Sequence, residues 1–123
     1  MTYARMPSDR TKYGKRHVPG QMNRTEAEYA ELLQTRKLAG EILDWGFERI
    51  TLKLADNCRY TPDFSVWLTD ETMEFVDTKP HKVIDPKSLV KVKVAAEQFA
   101  GFRFVFEEKL PKKLGGGWKR TEF

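Results

Sequence analysis

Asp63, Asp77 and Lys79 are the residues of this chain whose types and spacing are best suited to chemistry. They sit in two strand-like segments, YTPDFSVWL at 60–68 and MEFVDTK at 73–79, joined by a polar turn near Asp70. A hairpin centred on Asp70 pairs residues whose numbers sum to 140, so Asp63 faces Asp77. Positions 63, 77 and 79 then share parity, and all three side chains leave one face of the sheet. In that register the two carboxylates have Cβ atoms about 4.5–5.5 Å apart, and like charges so placed repel. A divalent cation between them removes that cost, and hard oxygen ligands suit Mg²⁺ or Mn²⁺. Lys79, one step along, would stabilise developing negative charge or orient and deprotonate a water. A bulge or a shifted turn would instead leave an ordinary exposed hairpin with scattered charges.

The elements that must position these residues can be read on either side. A helix is predicted from Thr25 to Ala39, with Tyr29, Leu32, Leu33 and Arg36 on its buried face and Gly40 as its stop. A first strand is predicted over 47–54, followed by an Asp56-Asn57 turn and the strands at 60–68 and 73–79. Asp85-Pro86 starts a second helix that runs to Ala100 with Leu89, Val92, Ala96 and Phe99 as its apolar stripe, and FRFVF at 102–106 is a last strand. Three strands of an antiparallel meander, then a strand–helix–strand crossover, give a small mixed α/β sheet with a helix for each face. Trp45 and Trp67 are expected in the core; Trp118 either stacks on a base or packs back on the domain.

The 123 residues suffice for one domain, and no apolar run is long enough for a membrane span. The lone Cys58, with only His17 and His81, gives neither a disulfide nor a zinc set, which suits a reducing cytoplasm. The net charge of +4 hides an asymmetry. Residues 1–24 hold six basic groups against one acid and 109–123 hold five against one, while the stretch between is acidic. Basic ends on an acidic body suit a polyanion held by its phosphates, and they equally suit simple solubility. The division expected is a basic irregular arm (1–22), a folded domain (23–108) and a basic tail (109–123) with a flexible hinge at Gly115-Gly116-Gly117.

Pro62-Asp63, thirteen intervening residues and Asp77-Thr78-Lys79 resemble the PD-(D/E)xK signature of restriction-endonuclease-like nucleases. The element order resembles that superfamily's αβββαβ core. Within it, KYGKR at 12–16, NRTEAE at 23–28, YTPDF at 60–64, FVDTK at 75–79 and FRFVF at 102–106 are similar to phage endonuclease I-type Holliday-junction resolvases. Asp77 stands where those resolvases have Glu, and Pro80 where Gly is common in related nucleases. The resemblance implies that Asp63 and Asp77 are metal ligands, that Lys79 is the catalytic lysine, that Glu26 completes the metal site and that the Thr78 carbonyl is a further ligand. By its own spacing Asn23-x-x-Glu26 fits a helix capping box, as does Thr25-x-x-Glu28. Glu74 falls on the face opposite Asp77.

These expectations amount to a Mg²⁺- or Mn²⁺-dependent endonuclease acting on DNA, on branched or junction DNA in phage recombination or replication, in the host cytoplasm, with a homodimer as one state. Lys12, Lys15, Arg16, Lys82, Lys87, Lys91, Lys119 and Arg120 are expected to hold the DNA backbone. His81 either touches a phosphate or is a solvated loop residue. The alternatives are a DNA-binding module that keeps the fold without catalysis and a protein-interaction factor.

Overall fold

The structure, a computed structural model, describes residues 20–123. Lys12, Lys15 and Arg16 lie outside the described residues. The first element is helix α1 (Arg24–Leu38), opened by a complete capping box: Asn23 Oδ1 accepts from Glu26 N–H and Glu26 Oε1 accepts from Asn23 N–H, both at 2.8 Å. Tyr29, Ala30 and Leu33 form its buried face. Leu32, expected there, is exposed, and the small Ala30 takes the sheet-facing position. Gly40, at φ +79°, lets the chain turn straight into a strand.

That strand, β1 (Ile42–Phe47), is one the sequence reading missed, because Asp44 and Gly46 break the alternation of ILDWGF. The strand expected over 47–54 is in fact the end of β1 and the whole of β2 (Leu52–Ala55). The break between them holds Glu48 at φ +48°, a conformation that no strand residue adopts. β2 and β3 (Cys58–Tyr60) make a separate antiparallel hairpin around Asp56 and Asn57, so the segment expected at 60–68 is likewise divided.

β4 (Phe64–Leu68) and β5 (Met73–Lys79) are antiparallel, with Phe64 opposite Val76 and Trp67 opposite Met73, the expected register. Asp70 Oδ1 accepts from the Thr72 N–H at 3.0 Å and fixes the turn. Helix α2 (Pro86–Gln98), capped by Asp85, then carries the chain to β6 (Arg103–Lys109), which lies parallel to β5. The expected tail is ordered differently. A 3₁₀ turn (Lys112–Leu114) and three glycines with positive φ lead into β7 (Trp118–Glu122), which pairs antiparallel with β6.

The result is a mixed five-stranded sheet in the order β1-β4-β5-β6-β7, flanked by two helices. Adjacent strand residues point to opposite faces. Val76 and Val105 pack with Tyr29, Leu33, Phe64 and Val66 under α1, and Phe75, Phe104 and Phe106 pack with Val92, Ala95 and the β2–β3 hairpin under α2. Trp45 leans on the α1 core, but Trp67 is 48% exposed, because α2 packs chiefly on β2, β3 and β6 and leaves that part of β4 uncovered. Among the described residues no helix is long and apolar enough to cross a membrane.

Candidate active site

The site begins where β4 stops short of its neighbour. In the β4–β5 register, Thr78 faces position 62, which is Pro62 and lies outside β4. The Thr78 N–H donates instead to Asp63 Oδ2 at 2.9 Å, with the Thr78 hydroxyl on the same oxygen at 3.2 Å. In return, the Asp63 N–H donates to Asp77 Oδ1 at 2.9 Å. Each aspartate side chain therefore satisfies a backbone amide of the other's segment, which holds the two carboxylates next to one another although the ladder has ended.

The environment of Asp77 is closed. It is 4% exposed, and its Oδ2 accepts from the Tyr60 hydroxyl at 2.7 Å. Lys79 Nζ lies 3.9 Å from the same oxygen and 4.9 Å from the centre of the Phe106 ring. Burial first, then the charge of Asp77, pushes the Asp63 carboxyl up to about 8, against the hydrogen bond from Thr78 and the Lys79 ammonium. Burial also raises Asp77, opposed by Lys79 and by its bonds from Tyr60 and Asp63. Desolvation by burial, then the Asp77 charge, raises the Tyr60 phenol, so it stays a donor.

Glu26 is 5% exposed and its charge contributes to the rise at Asp63, so it lies within electrostatic reach of the pair. Its Oε1 is engaged in the α1 cap. Among the described residues no three or more His, Cys, Asp or Glu side chains are grouped to hold a metal ion, and no buried side-chain nitrogen or oxygen lacks a partner. The structure thus brings Asp63, Asp77, Thr78 and Lys79 together, with Glu26 nearby in its capping role. The residue that sequence reasoning missed is Tyr60. Its signal was present in YTPD, since an aromatic with a hydroxyl at the end of a strand leading into the motif is placed to reach a buried acid.

Of the expected DNA contacts, Lys82 and Lys87 are exposed and Lys91 donates to the Arg59 carbonyl at 3.0 Å. Lys119 is exposed on β7, opposite Glu108. Arg120 departs from the expectation of a free basic tail. Its guanidinium bonds Glu107 Oε2 at 3.0 Å and Glu74 Oε1, two buried acids on the α1 face, and Tyr29 donates to the same Glu107 oxygen at 3.2 Å. Glu74 lies opposite Asp77's face, as its parity requires. His81 Nδ1 pairs with Glu108 Oε2 at 2.8 Å, and Trp118 packs edge-on against Tyr29 with ring centroids 5.0 Å apart.

Comparison with protein-family models, with curated proteins and with solved structures finds no match.

Proposed function

We propose that this protein is a metal-dependent DNA nuclease of the PD-(D/E)xK type, with Asp63, Asp77 and Lys79 as its active site. The observation that carries the proposal is the adjacency of a buried carboxylate, Asp77, and a half-buried one, Asp63, whose ionisation is suppressed, with the Lys79 ammonium 3.9 Å from Asp77. An arrangement that costs free energy in the folded protein gains a purpose if a cation occupies it. The Pro62-Asp63 and Asp77-Thr78-Lys79 spacing supports the same reading.

The donor chemistry fits a hard divalent ion. Asp63 and Asp77 would hold Mg²⁺ or Mn²⁺ with the Thr78 carbonyl, and Glu26 would join by releasing the Asn23 amide. Such an ion, when bound, polarises a phosphoryl oxygen and lowers the pKa of a coordinated water. The protein's own groups do the positioning. Tyr60 fixes the rotamer of Asp77 through its hydroxyl, the Thr78 amide and hydroxyl fix Asp63, and Lys79 presents positive charge where a phosphate oxygen would gather negative charge. Among the described residues no element is shaped to read base edges, so a DNA structure such as a branch or junction suits the site better than a fixed sequence.

The test is cleavage of linear, nicked, single-stranded and four-way-junction DNA, with Mg²⁺ and with EDTA. Cleavage is expected with Mg²⁺ only, and Asp63→Asn and Lys79→Ala are each expected to lower it by at least 10³-fold, roughly the scale of losing an electrostatic stabiliser, while DNA affinity stays within a few-fold. Scission at the wild-type rate by purified Asp63→Asn protein refutes the site.

The second reading is a DNA-binding module without catalysis, favoured by one observation: the pair's hydrogen bonds and the Glu26 cap are already complete without a metal. Binding without scission of any substrate in Mg²⁺ decides for it.

A further inference from the structure

Beyond the carboxylate pair, at the carboxyl ends of the parallel strands β5 and β6, lies an open cleft of about 430 Å³. Its lining draws on four elements: Arg24 and Glu28 of α1, His81 after β5, Lys109 at the end of β6 and Lys112 of the 3₁₀ turn. Two points of its wall adjoin the candidate site in sequence, since Pro80 follows Lys79 and Arg24 and Glu28 flank Glu26.

The charge in this cleft is one-sided. Arg24, Lys109 and Lys112 face one carboxylate, Glu28, and Glu28 is shared, with Arg24 Nε 3.6 Å from Oε1 and Lys109 Nζ 3.3 Å from Oε2. Lys109 Nζ also lies 5.0 Å from the centre of the Trp118 ring, a cation–π contact that holds the ammonium at the cleft wall. The Arg24 side chain is 93% exposed, so its charge is available to a ligand. A concave site with cations from separate elements, and one acid already divided between two of them, is built for an anion with several oxygens.

We propose that this cleft is a phosphate subsite, taking a phosphate of the nucleic acid strand whose neighbouring phosphodiester lies at Asp63, Asp77 and Lys79. It rests on the nuclease reading for its substrate class. The cleft sets which direction the strand leaves the site, and it assigns a role to Arg24, Lys109 and Lys112 that the motif alone does not.

The experiment measures binding of short duplexes, with 5′-hydroxyl and with 5′-phosphate ends, to Asp63→Asn protein in EDTA across a salt series. Adding R24A and K112A together is expected to weaken binding about tenfold near 0.1 M salt and to reduce the slope of log K against log salt by about two. E28Q, which frees both its partners and removes the one repelling charge, is expected to tighten binding several-fold. K37A, thirteen residues along the same helix and therefore roughly 20 Å away, is expected to leave affinity unchanged. A loss confined to phosphorylated ends places a terminal phosphate in the cleft, and a loss on both duplexes places an internal one. Unchanged affinity and slope in R24A/K112A, or an equal loss in K37A, overturns the proposal. Because binding is read in a hydrolysis-dead variant without divalent ions, failure of the nuclease reading shows in the cleavage assay alone, and failure of the cleft shows here alone.

Discussion

Asp63→Asn is expected to stabilise the metal-free protein while abolishing its activity. The amide keeps an oxygen to accept from the Thr78 N–H, held at 2.9 Å in the native protein, and it turns an NH₂ toward Asp77 where a like charge stood. Near and above pH 8, where both are ionised, two unit charges at the spacing of about 5 Å usual for facing strand residues repel by about 3 kcal/mol at an effective dielectric near 20. Replacing charge-assisted hydrogen bonds with neutral ones gives back about 1 kcal/mol. A net gain of about 2 kcal/mol, divided by an unfolding entropy of about 2.1 cal/mol/K per residue, raises Tm by roughly 8 °C for a chain of this length. The pH dependence has a definite sign. The Asp63 carboxyl is raised from its ordinary 3.8 to about 8 in the folded protein, so the native state holds the proton more tightly than the unfolded chain. Stability is therefore greatest below the unfolded value and falls as pH rises toward 8. The advantage of Asp63→Asn should be largest near pH 8 in EDTA and shrink toward pH 4. Mg²⁺ at about ten times its Kd should restore about 1.4 kcal/mol to the native protein and nothing to the variant. Thermal unfolding followed by circular dichroism at pH 4, 6 and 8, with EDTA and with Mg²⁺, reads all of this. A variant less stable than the native protein at pH 8 in EDTA, with no trend in pH, refutes the repulsion and makes Asp63 an ordinary strand cap.

Tyr60→Phe removes the hydroxyl that donates to Asp77 at 2.7 Å, so Asp77 should hold its proton to higher pH; the acid limb of the rate–pH profile should move to alkaline pH, and an unmoved limb refutes that role. Arg120→Ala leaves Glu74 and Glu107 buried without their cation and should cost about 3–5 kcal/mol in urea unfolding, with Arg120→Lys recovering part; a loss under 1 kcal/mol would show that β7 is not held by this fork. Glu26→Gln keeps an acceptor for the Asn23 amide, so the helix cap and Tm should hold while Mg²⁺ affinity by calorimetry falls about tenfold; unchanged affinity leaves Glu26 as a cap alone.

Much of this arrangement could be read in the sequence because it follows parity. The Asp70 turn set the β4–β5 register, the register set which side chains share a face, and the crossover through α2 made β6 parallel to β5. Where parity was interrupted, the reading failed. Glu48 at φ +48° ends one strand, and another begins within FERITLKL, whose apolar–polar alternation from Ile50 onward makes the whole segment read as one strand. The tail failed for a different reason. WKRTE reads as a solvated basic end until a partner strand and two buried acids are supplied, and those come from positions 74 and 107, which local pattern cannot see. Glu26 shows the limit most clearly, since capping box and metal ligand make the same demand on sequence: an acid at the third helical position.

The bonds around Asp63 and Asp77 account for the local fold but not for the choice of residue. The Thr78 amide and hydroxyl share one Asp63 oxygen, which an asparagine would supply, whereas Asp77 uses both of its oxygens, one for the Asp63 amide and one for Tyr60; an asparagine at 63 and an aspartate at 77 would meet every bond. Two carboxylates meet the same geometric need at the cost of desolvation and mutual repulsion, with one lysine at 3.9 Å to offset them. A purely structural junction has no use for that cost, whereas a cation site depends on it, because the free energy stored in the repulsion is returned when the ion binds. If the pair holds a cation, its charge rather than its position would separate a nuclease from an inert protein of the same shape, which is why replacement of Asp63 by a near-isosteric amide is the informative perturbation.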